Sequence, residues 1–71
     1  MAERYENPIA LSEKERLILS EVAKGRTTPQ IAALIKLSPE TVKWYRKRLL
    51  EKFSAATSSE MIMKAVERHF L

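Results

Sequence analysis

Helix-start punctuation divides this chain into short segments. Ser12 is followed three residues later by Glu15, Thr27 by Gln30 and Thr57 by Glu60, while Ser38 is followed directly by Pro39 and Glu40. The three spaced pairs are capping boxes: the hydroxyl accepts from an orphan amide of the first turn, and the Glu or Gln side chain returns to the amide of the capping residue. Proline at a first helical position signals the same thing, because its missing N–H is not needed there and its φ is already helical. Four such starts in 71 residues allow only short helices joined by tight turns. No stretch alternates as a strand does. The expected fold is all-α, a four-helix bundle.

The spacing predicts a first helix over 13 to 24, with Leu17, Ile18, Val22 and, beside them, Leu19 as its apolar face. Gly25, the only glycine, stands where a left-handed C-terminal cap is needed. The second helix starts after Thr27, or one residue later with Pro29 at its first position, and turns Ile31, Ala32 and Ile35 inward. The third runs from about 39 to 53, with Val42, Leu49 and Phe53 inward and Tyr45 at the edge. The fourth runs from Thr57 to about His69. Ile62, Val66 and Phe70 are expected to cover the core, leaving Met61, Ala65 and Arg68 on a neighbouring face. Residues 1–10 lack periodicity and contain Pro8, so they read as an arm or linker leading into a domain of residues 11–71.

Charge separates the third helix from the rest. Lys43, Arg46, Lys47, Arg48 and Lys52 against Glu51 give this segment the whole of the chain's net charge of +4. Clustered positive charge raises the local potential and attracts polyanions, whereas a solvated basic face is the plainer explanation. Other functional classes fall away on composition. The chain contains no cysteine or aspartate and a single histidine, His69. It therefore lacks a thiolate metal site and any convergent set of nucleophile, base and orienting group, and neither an enzyme nor a cofactor is expected. No apolar run approaches the roughly 20 residues that span a bilayer, so no membrane association is expected and the expected location is the cytoplasm.

Two short-linked helices, the second basic, outline a helix-turn-helix. Leu11-Ser12-Glu13-Lys14-Glu15, Gly25-Arg26-Thr27, Ile31-Ala32, Leu37-Ser38-Pro39-Glu40-Thr41-Val42-Lys43 and Lys52-Phe53 fall in the order and spacing of a known family. Over residues 11 to about 68 the chain resembles the LuxR-type helix-turn-helix domain of bacterial transcription regulators, including the output domains of NarL- and FixJ-like response regulators. Lys14 stands where that family usually has arginine, Tyr45 where it has histidine and Ser58 where it has arginine. The resemblance implies the output part of a longer regulator, with an entire short regulator as the alternative.

It also implies docking of the third helix in the DNA major groove, with Lys43, Trp44 and Lys47 towards the bases. The lysines suit guanine acceptors, and Trp44 suits a thymine methyl or sugar, although partial core packing is the plainer role for a tryptophan. Thr27, Thr28 and Gln30 at one helix start, Ser38 and Thr41 at the next, and Tyr45, Arg46, Arg48 and Lys52 are expected to contact phosphates or, for the caps, to serve the helix alone. In the resembled family the last helix pairs two copies, which points to Met61, Lys64, Ala65 and Arg68 as a homodimer surface. RNA polymerase is a further partner implied for a regulator, and would be the central one if the chain were the promoter-reading part of a sigma factor. The rival from another class is a helical protein-interaction module that binds an acidic or apolar partner. Duplex RNA is disfavoured because its deep, narrow groove does not admit a helix.

Overall fold

The computed structural model describes residues 9–71. Most of the expected N-terminal arm, residues 1–8, lies outside them. The described residues form α1 (Glu13–Ala23), α2 (Thr28–Ile35), α3 (Pro39–Lys52) and α4 (Ser58–Glu67), with no strand among them.

Each helix begins where a capping residue is written. Ser12 Oγ accepts from the Glu15 amide at 3.1 Å while Glu15 accepts from the Ser12 amide at 2.8 Å. Thr27 and Gln30 make the same reciprocal pair at 3.3 and 2.9 Å. Thr28 is thus the first residue of α2 rather than its cap. Ser38 caps α3 by accepting from the Thr41 amide at 3.2 Å. The third expected box is only half formed. Thr57 accepts from the Glu60 amide at 3.1 Å, but the Glu60 carboxylate reaches one residue further back, to the Ala56 amide at 2.7 Å.

The helix ends share a second device. After α1 the Gly25 amide donates to Val22 and the Arg26 amide to Glu21, the paired bonds of a Schellman motif, with Gly25 at φ 85°. The ends of α3 and α4 repeat the pattern, with Ala55 donating to Leu50 and Phe70 to Ala65. There the left-handed position is held by Ser54 and His69, and after α2 by Lys36 at φ 59°. Only the first of these left-handed residues is a glycine. Phe70 is carried back over the bundle, its ring edge-on to Phe53 with centroids 5.6 Å apart.

The buried core consists of Ile18, Leu19 and Val22 of α1, Ile31 and Ala32 of α2, Val42 and Leu49 of α3, Met61 and Ala65 of α4, and Phe53. At about 1.5–3 kcal/mol for each large apolar side chain buried, this cluster is the main source of stability. α3 packs on α2 and α1, and α4 closes the bundle against α1 and α3. Two expected faces need correction. In α1 the buried stripe holds Leu19 fully, whereas Leu17 is 44% exposed. In α4, Met61 and Ala65 are fully buried and Val66 is 52% exposed, so the helix is rotated by about one residue from the expected face. α4 carries two adjacent apolar stripes, 61/65 and 62/66. The packing of α4 on α1 and α3 selects the first and leaves Ile62 half-buried at its side.

Candidate nucleic-acid interface

At about 100° per residue, the buried stripe of α3 at Val42 and Leu49 lies opposite the exposed stripe of Glu40, Lys43, Trp44, Lys47 and Glu51. All five of those residues are exposed. Trp44 is 55% exposed, which excludes core packing as its main role. The expected base-contacting residues Lys43, Trp44 and Lys47 are therefore brought together on one outward face.

The basic residues of α3 divide into two sets. Among the described residues, Lys43 and Lys47 make no hydrogen bond or ion pair, so their ammonium groups remain fully available on the outward face. The other three are committed within the domain. Arg46 donates to Thr28 Oγ at the start of α2 and to Ser58 Oγ at the start of α4, both at 3.2 Å. It thereby ties two helix N-termini, the positive ends of their dipoles, to the flank of α3. Ser58, which departs from the family pattern, is held as an acceptor for this arginine.

Arg48 and Lys52 turn towards α1. Arg48 Nε donates to Glu15 at 3.1 Å, and Lys52 Nζ donates to Glu15 at 2.8 Å and to the Ala10 carbonyl at 2.9 Å. Glu15 is only 3% exposed. Burial by itself raises its pKa, but Lys52, the Ser12 amide and Arg48 together outweigh burial and hold the carboxyl below its ordinary range. Lys52 has two of its three N–H donors engaged here, which removes most of its expected capacity to hold a phosphate. These long-range pairs escape sequence reading, since nothing local marks Glu15 as the partner of residues 33 and 37 positions away.

The capping hydroxyls Thr27 and Ser38 and the side chains of Gln30 and Thr41 lie at the exposed starts of α2 and α3, with Ser38 Oγ 2.9 Å from Thr41 Oγ. Tyr45 sits half-buried beside the core with its ring edge-on to Trp44, centroids 5.0 Å apart. Of the expected pairing residues, Met61 and Ala65 are in the core and present no surface. Lys64 donates to the Ser54 carbonyl at 2.9 Å and pairs with Glu60 at 3.3 Å, and Arg68 is exposed. The apolar side chains that α4 does present outward are Met63, 60% exposed, and Val66. Among the described residues, no helix is long and apolar enough to cross a membrane, and no group of His, Cys, Asp or Glu is placed to hold a metal ion.

Residues 9–65 match the family of bacterial regulatory proteins described as the luxR family. The chain is 35% identical over 66 residues to the probable transcriptional regulatory protein NarL of Mycobacterium tuberculosis, covering 90% of this chain and 31% of that protein. It is 37% identical over 70 residues to the response regulator UvrY of Escherichia coli, covering 97% and 32% respectively. It thus spans about a third of the length of these relatives. Among solved structures, the Vibrio cholerae VqmA dimer, a LuxR-type receptor seen without its target DNA, superposes with a TM-score of 0.85 at 28% identity, over 89% of this chain and 28% of that one. A VqmA–ligand–DNA complex superposes with a TM-score of 0.82 at 26% identity, over 99% and 31%.

Proposed function

The chain belongs to the LuxR family of bacterial regulatory proteins, and from that premise we propose that it binds duplex DNA sequence-specifically by laying the outward face of α3 in the major groove. The observation that carries this reading is the pair Lys43 and Lys47, one helical turn apart, exposed and without partners among the described residues, beside an exposed Trp44. An unpaired ammonium loses no internal bond on binding and can donate to guanine O6 or N7, while the indole offers an apolar face and one donor. Glu40 and Glu51 on the same stripe repel phosphates, so the face favours base edges at its centre.

Phosphate contacts are assigned to the flanks of α3. Thr27, Thr28 and Gln30 at the start of α2, Ser38 and Thr41 at the start of α3, Tyr45, and the guanidinium groups of Arg46 and Arg48 would fix the register of the helix on the backbone. Lys52 contributes to them only through the field of its charge. The domain acts as the output part of a longer regulator of the response-regulator kind, working in the cytoplasm where the chromosome lies and delivering its signal to RNA polymerase. Two copies pair on the DNA through the outward Met63 and Val66 face of α4, with Arg68 at its margin, instead of through the buried Met61 and Ala65.

Fluorescence-anisotropy titrations over a salt series test the reading, using duplexes selected from a random library, unselected duplex DNA and duplex RNA. Wild type should prefer the selected duplex with a steep salt dependence. The double change Lys43→Ala and Lys47→Ala should weaken binding to the selected duplex by about 1–3 kcal/mol for each lysine that donates to a base edge. Equal competition by duplex RNA overturns the DNA assignment. Absence of DNA binding by wild type at low salt overturns it in favour of a protein-interaction module.

A further inference from the structure

An exposed tryptophan on a helix surface ordinarily samples several staggered rotamers, and binding through it costs the entropy of choosing one. Trp44 is exposed, yet it has neighbours on two sides. The Tyr45 ring stands edge-on to it at 5.0 Å, and the Arg48 guanidinium carbon lies 5.4 Å from the centre of the indole ring. Arg48 follows Trp44 by four residues, the spacing that stacks side chains on one helical face.

The guanidinium itself is anchored. Its Nε donates to Glu15 at 3.1 Å, and Glu15 is buried, bonded to the Ser12 amide through the cap of α1 and to Lys52. Arginine suits this double role because its planar group can donate at its edge to a carboxylate while its face rests on a ring. A lysine ammonium supplies the same charge without that plane.

We propose that Arg48 is a positioning residue for Trp44: fixed to Glu15 on α1, it holds the indole in one orientation on the outward face of α3, so that sequence discrimination depends on a residue that need not touch a base. The proposal rests on Trp44 facing the groove, and it gives Arg48 a task beyond the phosphate contact proposed for its guanidinium, one for which charge alone does not suffice.

Trp44 is the only tryptophan of the chain, so its emission in the DNA-free protein reports the clamp directly. Time-resolved anisotropy of the indole should show a larger fast-decaying amplitude in Arg48→Lys than in wild type, at unchanged helical content by circular dichroism. Glu15→Gln should loosen the indole in the same direction, and should it fail to fold, Arg48→Lys decides alone. In DNA titrations, Arg48→Lys should reduce the preference for the selected duplex over unselected duplex by about 3- to 10-fold, the entropic cost of ordering one side chain, with the salt dependence kept because the charge is kept. Wild-type indole decay in Arg48→Lys overturns the clamp whatever the DNA result. A loosened indole with undiminished discrimination overturns its role in recognition. Failure of wild type to bind any DNA removes the groove reading and the role in discrimination with it, while the indole decay still judges the clamp.

Discussion

Glu15 and Lys52 meet at 2.8 Å across 37 positions of chain, and the same ammonium donates to the Ala10 carbonyl at 2.9 Å. One lysine at the end of the proposed reading helix thus joins α3, the cap of α1 and the segment that enters the domain. Arg48 reinforces the junction from one turn earlier. The positive charge that marks α3 in the sequence therefore has two uses: its outward members face solvent, and its inward-leaning members hold the helix to the body.

The acid response follows from this junction. The Glu15 carboxyl is held below its ordinary value of 4.5 because Lys52, the Ser12 amide and Arg48 outweigh the opposing effect of burial, which is the largest single influence on it. A carboxyl with a depressed folded pKa stabilises the fold fully above its unfolded pKa, and that contribution is lost as pH falls through the folded value. Stability should therefore be level with respect to this group above about pH 5 and decline below about pH 4.5. Glu15→Gln should lose about 1–2 kcal/mol at pH 7, a charged hydrogen bond discounted for the exposure of its cationic partners, and should show a shallower acid decline. Urea midpoints of both proteins from pH 7 to pH 3 check this, and parallel profiles would refute it.

What the sequence made legible was local. Ser12, Thr27, Ser38 and Thr57 mark the observed helix starts because a cap and its partner amide lie within one turn of each other. The inward face of α3 was legible for a similar reason: Val42, Leu49 and Phe53 form a single apolar stripe with no competitor. α4 offered two adjacent stripes, and only its packing against α1 and α3 decides between them. The ends of α3 and α4 were expected within two residues of where they fall, but the left-handed caps at Lys36, Ser54 and His69 left no signal because those residues are not glycine. In the candidate site, the outward grouping of Lys43, Trp44 and Lys47 followed from helical spacing, whereas the partners of Arg46, Arg48 and Lys52 lie on other helices and leave no local signal.

The rotation of α4 separates two methionines two residues apart. Met61 is fully buried and Met63 is 60% exposed. Met61→Ala should cost about 2–5 kcal/mol, the range for emptying a buried position of this size, whereas Met63→Ala should stay within about 0.5 kcal/mol in a monomer. Thermal or denaturant unfolding at low protein concentration measures both. The Met63 change should in turn weaken pairing, read by analytical ultracentrifugation of the protein on a two-site duplex. Equal destabilisation by the two substitutions would mean that the helix sits in the other register.

The left-handed helix ends give a pair of substitutions with opposite signs. At Gly25, φ is 85°, and a Cβ placed there meets no atom within 4 Å. The penalty for a side chain is therefore torsional and not steric: Gly25→Ala should cost about 1–2 kcal/mol, and Gly25→Asn less, because asparagine tolerates this conformation better. Lys36 occupies the same region at φ 59° with an exposed side chain, and its amide and that of Leu37 both donate to the Ala32 carbonyl. Glycine there keeps both amides and relieves the left-handed strain, while the greater freedom of the unfolded chain offsets part of the gain. Lys36→Gly should thus raise stability by up to about 1 kcal/mol, seen as a higher urea midpoint at unchanged slope. A loss of stability at Lys36 would mean that its side chain contributes more to the fold than its backbone strain removes.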